Sequence, residues 1–249
     1  MADTIRNMPD NFTVERQDLA AAFRLAARHN FHESVANHFS LAVSEDGRRF
    51  LMNPNCMHFS RIKASDLMLL DADDPEVMTR EDAPDPTAWD IHGAIHRQNP
   101  KATCVMHVHS KYATVLATLK NPTLPPIDQN TMRFYGDIAV DSHFGGMGLG
   151  EEAERMVACL GDKSVMIMGN HGVMVVGDTV ARAFDNLYYF ERAAETYITA
   201  LMTGQELAIA SDAVARQTFQ DWKVEGNIAD RHFAELCAIL DVEEPDYKD

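Results

Sequence analysis

Three histidines are the side chains in this sequence best suited to chemistry. His107 and His109 are separated by one residue within a short apolar run, Cys104–Ser110, whose β-branched residues predict a strand. Alternate side chains of a strand point to the same face, so the two imidazoles should lie side by side. His171 follows a second apolar run and stands in an Asn-His-Gly turn. Three imidazoles brought together would form a zinc-type site with one position open to water or substrate.

The same residues also have a purely structural explanation. The chain contains 11 histidines, so one His-x-His pair can arise by chance, and a lone histidine in a turn can cap the end of a strand. Cys104 flanks the pair but faces away from it in a strand, which leaves it outside the predicted ligand set. Spacing alone therefore leaves a metal site and an ordinary strand end both open.

Length and composition are those of a globular protein. The 249 residues can bury a substantial core, and 46% of them are hydrophobic. A net charge of −16 at pH 7 argues against nucleic acids and anionic membranes, which favour clustered lysine and arginine. The four cysteines form no CxxC motif and indicate free thiols in a reducing compartment. With no apolar leader and no long apolar run, the sequence predicts a cytoplasmic protein.

The elements that must position the histidines follow from local patterns. Asp46-Gly47 between two apolar runs predicts an antiparallel hairpin, while Thr13 and Thr87 are expected N-caps of the first two helices. The predicted strands are 37–43, 49–53, 67–70, 104–110, 138–140, 165–168 and 173–176. The predicted helices are 14–28, 88–98, 112–119, 151–160 and about 180–203, followed by one or two polar helices.

The segments between these elements predict loops. Residues 71–86 and 120–136 are rich in proline and should be irregular. Phe144–Gly148 contains three glycines without the G-x-G-x-x-G pattern, which favours a flexible loop over a phosphate cradle. Hairpins mixed with helices indicate a layered α/β protein with a largely antiparallel sheet, rather than a doubly wound parallel one.

Three separated segments, in order, resemble the class II aldolase/adducin family. They are Asp90–His96, Val105–Thr114 and Gly169–Gly177, the last followed by a helix through Glu195. The resemblance covers about residues 15–205 and implies a three-layer α/β/α sandwich with a mixed, largely antiparallel central sheet. We expect a single domain over residues 1–249, whose residues 206–249 form a C-terminal helical extension.

The resemblance also implies a divalent metal held by three histidines, which fall on His107, His109 and His171. Zinc is the favoured metal, with manganese, cobalt or magnesium as alternatives. It further implies a homotetramer whose active sites lie at subunit interfaces and act on a small molecule. Asn37 and His92 are candidate substrate-binding residues, although His92 can instead lie behind the site as a supporting donor.

The sequence departs from the sugar-phosphate aldolases of this family in two respects. Ala88 stands where they carry a glutamate that serves as acid/base, and Asp90 lies about 200° further round the helix. Their phosphate-binding Ser/Thr-Gly pairs are replaced, for example by Asn53-Pro54-Asn55. An unphosphorylated substrate is therefore expected.

These features predict a metal-dependent lyase that cleaves a C–C bond of a hydroxy- or keto-acid. A cation held by neutral imidazoles would stabilise an enolate left by loss of an aldehyde or of CO₂. Aldol cleavage needs a base, for which the candidates are Asp90, Asp128, Tyr135 and His143, whereas decarboxylation need not use one. An isomerase, epimerase or dehydratase, and a non-catalytic adducin-like interaction module, are the alternatives.

Overall fold

A single mixed sheet of seven strands lies at the centre of the computed structural model, which describes residues 12–143 and 152–249. The strands of this described part are β1 His38–Ala42, β2 Arg49–Met52, β3 Met68–Asp71, β4 Cys104–Val108, β5 Ile138–Asp141, β6 Val165–Met168 and β7 Gly172–Gly177. Its helices are α1 Thr13–Arg28, α2 Pro86–Gln98, α3 Lys111–Ala117, α4 Gln129–Met132, α5 Glu152–Leu160, α6 Val180–Met202, α7 Asp212–Val224 and α8 Ile228–Glu243. The predicted turn Phe144–Gly148 lies outside the described residues.

The sheet has the order β3-β2-β1-β4-β7-β6-β5. Every neighbouring pair is antiparallel except β5 and β6, which are parallel. The predicted hairpin between β1 and β2 is present, and Gly47 takes a positive φ of 68° within its turn. A Cβ atom at Gly47 would lie 2.2 Å from the carbonyl oxygen of His96, so only glycine fits there.

Helices cover both faces of the sheet, which confirms the predicted sandwich architecture. On β4, Met106 and Val108 face the cluster that includes α1, α3 and α6, while Val105 faces the cluster formed with α2 and α5. His107 follows Val105 by two residues and therefore lies on the α2 face. The period of two along β4 thus turns His107 toward the α2 face at the end of the strand.

Several boundaries differ from the sequence predictions. The N-cap of α2 is Asp85, not Thr87, because Pro86 begins the helix and Asp85 Oδ1 accepts hydrogen bonds from the N–H groups of Thr87 and Ala88. Thr13 is the first residue of α1 rather than its cap. The two predicted loops contain short helices: a 3₁₀ turn at Pro75–Thr79 and the four-residue α4.

The C-terminal helices pack against the rest of the chain. Phe233 and Leu240 of α8 are buried in the same core as α1 and α6. Arg24 of α1 is buried and donates to carboxylates of Glu244 and Asp246. Within the two described ranges, no helix is long and apolar enough to cross a membrane.

Candidate metal centre

Two histidines meet where β4 ends. His107 is the penultimate residue of β4, and its Nδ1 lies 3.0 Å from the carbonyl oxygen of Val173 on β7. His109 follows the strand directly, and its Nδ1 contacts the carboxylate of Glu33. Because a carbonyl oxygen and a carboxylate only accept, both Nδ1 atoms must carry the proton. In their neutral form, which is the form that binds a metal, both rings therefore keep an unprotonated Nε2.

These two Nε2 atoms lie 3.0 Å apart. Two lone pairs at this distance repel each other unless a positive charge is placed between them. The nitrogens of a tetrahedral zinc site, with Zn–N bonds of about 2.0–2.1 Å, lie roughly 3.3 Å apart, which is close to this arrangement. The donor chemistry of His107 and His109 therefore fits a bound cation.

His171 completes the group from the turn between β6 and β7. Asn170 adopts a left-handed backbone conformation with φ of 57°, which reverses the chain after β6. The ring centroid of His171 lies 4.8 Å from that of His107 and 4.7 Å from that of His109. The candidate ligand atoms of the three residues all lie within 4.8 Å of one another. The convergence expected from the sequence is present in the structure.

Gly172 allows the turn to approach β4 closely. A Cβ atom at this position would lie 2.5 Å from the carbonyl oxygen of Val108 and 2.8 Å from Cδ2 of His109. Any side chain at Gly172 would therefore displace the strand end or the His109 ring. The glycine after His171 is part of what holds the three rings together.

Burial keeps two of the three rings neutral. Desolvation, followed by the neighbouring histidines, lowers the pKa of His107 well below its usual range. Desolvation also lowers the pKa of His171 to about 4, His109 lowers it further, and Glu33 opposes the shift. Neutral imidazoles are the form that binds a metal, so these surroundings favour ligation at neutral pH.

Four polar side chains form a buried chain beside the three imidazoles. His38 Nδ1 lies 2.8 Å from Nε2 of His92, whose Nδ1 lies 2.6 Å from Oγ of Ser40. Ser40 Oγ also lies 2.7 Å from His96 Nε2, and His96 Nδ1 lies 2.8 Å from the carbonyl oxygen of Ala102. Desolvation lowers the pKa of His38 and of His96 to about 4 each, and lowers that of His92 as well. These three rings are therefore neutral at pH 7.

The predicted substrate-binding residues occupy different positions in this arrangement. The Asn37 side chain is buried, and its Oδ1 accepts from the backbone N–H groups of Glu33 and His109. His92 is fully buried with both ring nitrogens hydrogen-bonded, so any effect of His92 on a ligand passes through His38.

The four candidate bases lie in separate parts of the chain. Asp128 is the N-cap of α4 and accepts from the N–H of Thr131, while the Tyr135 hydroxyl donates to Asp212 of α7. Asp90 lies on α2, about 200° round the helix from His92. His143 is exposed after β5. The Ala88 position, where a glutamate would stand in the aldolases, is fully buried.

Sequence reasoning missed two supporting carboxylates. Glu33 lies in the loop after α1, where no local pattern indicates a contact with His109. Glu191 of α6 accepts from Ser110 Oγ and from the N–H groups of Tyr112 and Ala113, so it fixes the chain just after His109. The sequence did contain one usable signal: His38 and Ser40 alternate on β1, and His92 and His96 are four residues apart on α2.

Residues 17–198 match the family model for the class II aldolase and adducin N-terminal domain. The chain belongs to this family. This class II aldolase-type chain is 30% identical over 239 residues to an aldolase class 2 protein of Caulobacter vibrioides, covering 94% of this chain and 91% of that one. It is 29% identical over 201 residues to the decarboxylase NovR of Streptomyces niveus, covering 74% of each. The crystal structure of an aldolase II superfamily protein from Pseudomonas syringae is 32% identical, covers 98% of both chains and superposes with a TM-score of 0.87.

Class II aldolases are typically dependent on a divalent metal. In this class II aldolase-type chain, the group formed by His107, His109 and His171 is the cluster of potential ligands found among the described residues.

Proposed function

We propose that this protein is a divalent-metal-dependent lyase that cleaves a C–C bond of a small, unphosphorylated hydroxy- or keto-acid. The observation that carries the proposal is the convergence of His107, His109 and His171, with two unprotonated Nε2 atoms 3.0 Å apart. Zinc suits three imidazoles best, while manganese, cobalt and magnesium remain alternatives.

Three neutral imidazoles leave the charge of a divalent cation undiminished. When bound, the cation supplies Lewis acidity, which stabilises negative charge that develops on a substrate oxygen as the C–C bond breaks. The protein's part is to hold the rings: Val173 and Glu33 fix the tautomers of His107 and His109, and Gly172 permits their approach to His171.

The buried Ala88 favours decarboxylation over aldol cleavage within this proposal. Aldol cleavage must remove a hydroxyl proton, whereas loss of CO₂ from a β-keto-type acid need not, and Ala88 offers no carboxylate. The relationship to a protein named as a decarboxylase supports the same preference. If a base is required, Asp90, Asp128, Tyr135 and His143 remain our candidates, including from a neighbouring subunit.

We further propose a homotetramer with active sites at subunit interfaces and a cytoplasmic location. Isomerase, epimerase or dehydratase activity at the same centre is the alternative enzymatic function. A non-catalytic adducin-like interaction module is the alternative of another class, but the three converging histidines favour a metal enzyme over it.

The test begins with metal content. Purified protein should hold a single transition-metal cation per chain, and zinc or manganese should raise the Tm of metal-stripped protein. His107→Ala and His171→Ala should lose both effects, while His29→Gln, which removes an imidazole elsewhere, should keep them. Release of pyruvate and of CO₂ from a panel of keto- and hydroxy-acids then separates the two reactions. Two histidine variants as active as the parent protein would refute metal-centred chemistry.

A further inference from the structure

The hydrogen bonds that link the buried polar side chains beneath α2 have a defined donor-to-acceptor direction. It begins at the carbonyl oxygen of Ala102, which can only accept, so His96 must donate from Nδ1. The neutral His96 ring then accepts at Nε2, and the proton of the Ser40 hydroxyl must point toward it. Ser40 Oγ in turn accepts from His92 Nδ1, which leaves His92 Nε2 as an acceptor. His38 must therefore donate from Nδ1 and keep an unprotonated Nε2.

His38 lies directly beside the candidate metal centre. Its backbone pairs with that of His107 across β1 and β4, and the two ring centroids are 4.9 Å apart. His38 also lines a cavity of about 20 Å³ together with Asn37, Asn53, Asn55, Asp85 and Ala88. A space of this size holds one water-sized group.

Asn37, which lines the same cavity, carries a buried donor. Two backbone N–H groups, of Glu33 and His109, require an oxygen at Oδ1, which settles the orientation of the side-chain amide. Its Nδ2 is buried and has no hydrogen-bond partner among the residues that the structure describes. A buried donor without a partner is unfavourable, and an acceptor on a ligand would relieve that cost.

We propose that the His92–Ser40–His96 chain fixes His38 as a permanent hydrogen-bond acceptor, and that His38 and Asn37 together recognise a neutral hydroxyl group of the substrate. A hydroxyl can donate to His38 Nε2 and accept from Asn37 Nδ2 at the same time. The substrate part of this inference rests on the proposed metal-dependent function, whereas the fixed tautomer does not.

The same groups discriminate against an anion. A phosphate or carboxylate oxygen would face the lone pair of His38 Nε2 and the carboxylate of Asp85, which caps α2 at the cavity wall. A group that can only accept hydrogen bonds would satisfy Asn37 Nδ2, but it would be repelled by His38 Nε2 and by the carboxylate of Asp85. The cavity therefore specifies an uncharged, hydroxylated end of the substrate.

The tautomers can be measured directly. Long-range ¹H–¹⁵N correlation spectra of histidine-labelled, metal-stripped protein should show His38, His92 and His96 each protonated at Nδ1. In Ser40→Ala the link is broken, so His92 and His38 should become tautomeric mixtures while His96, held by Ala102, should not change. A wild-type His38 protonated mainly at Nε2, or a Ser40→Ala spectrum identical to wild type, would overturn the inference.

Hydroxyl recognition is tested by calorimetry with two probes, hydroxypyruvate and pyruvate, on the zinc-loaded protein. Hydroxypyruvate should bind about tenfold more tightly, since a buried hydrogen-bonding site penalises the analogue that lacks the hydroxyl. His38→Leu should lose this preference. A preference that survives His38→Leu, or its absence from the wild type, would refute the inference. A protein that binds no zinc but shows the expected tautomers would instead refute the proposed function alone.

Discussion

Single hydrogen bonds outside the three imidazoles decide what the imidazoles can do. Val173 and Glu33 accept from the Nδ1 atoms of His107 and His109, and this leaves the Nε2 atoms unprotonated and facing each other. The carbonyl of Ala102 has the same effect on His96 and, through it, on His38. At this scale, function depends on acceptors that cannot donate rather than on the histidines alone.

Glu33→Gln tests this dependence on a single acceptor. An amide can present its NH₂ to His109 as readily as its oxygen, so the favourable tautomer would no longer be enforced. We expect zinc affinity, measured by competition with a chromophoric chelator, to fall about tenfold, the lower end for partners of metal ligands, because Glu33 is largely exposed. Glu81→Gln removes an exposed carboxylate elsewhere and should leave zinc affinity unchanged. Equal affinities for both variants would show that Glu33 does not position His109.

The contact between α2 and β1 carries an unusual polar layer for a helix packed on a sheet. Ile91, Ala94 and Ile95 of α2 belong to an apolar cluster, but His92 and His96 of the same helix bond to Ser40 of β1. All three polar residues are buried. These hydrogen bonds hold α2 in register with β1, the strand that pairs with β4. The stability of this contact depends on keeping the imidazoles of His92 and His96 neutral.

Stability should therefore fall in mild acid. Burial lowers the pKa of His96 to about 4, against about 6.5 in the unfolded chain, so below pH 6.5 the unfolded state binds more protons. The contribution is fully present above pH 6.5 and is lost as the pH falls toward 4, by up to about 3 kcal/mol. Urea unfolding of metal-stripped protein between pH 7.5 and 4.5 measures it.

A matched pair of variants isolates the effect of His96. The stability difference between wild type and His96→Gln should shrink as the pH falls, because the variant has no ring to protonate. The exposed His143→Gln variant should follow the wild-type profile throughout. A His96→Gln profile parallel to wild type would contradict the assignment.

At the scale of the whole molecule, the C-terminal residues pack against α1. Arg24 donates to the carbonyl of Ile62 at 2.9 Å and to the carboxylates of Glu244 and Asp246, which joins α1 both to the segment between β2 and β3 and to the C-terminal residues. Tyr247 is buried in the same core, and the N–H of Ser65 donates to the carbonyl oxygen of Asp249. On these contacts we propose that residues 206–249 fold with the rest of the chain as a single domain.

The variant Arg24→Leu measures how much these contacts contribute to the free energy of unfolding. The variant leaves the Ile62 carbonyl without its partner and removes two ion pairs, so we expect a loss of about 2 kcal/mol in unfolding free energy. In a chain of this size that lowers Tm by roughly 4–8 °C, with unfolding still in one transition. Arg216→Leu, which breaks an exposed pair with Asp212, should change Tm by less than about 2 °C. Two separate transitions in the wild type would instead indicate that the extension folds independently.

Local patterns in the sequence determined the strands, the long helices and the pairing of His107 with His109, because side-chain period and turn chemistry act over a few residues. The Asn-His-Gly turn offered His171 as a third candidate ligand, and the family resemblance joined it to the other two and supplied the sandwich architecture. Only the tertiary structure decided that Glu33 reaches His109, that Ser40 joins two histidines of α2, and that Tyr135 and Asp128 are engaged elsewhere. These contacts join residues distant in sequence, and hydrogen-bond direction between them follows from geometry that no local pattern encodes.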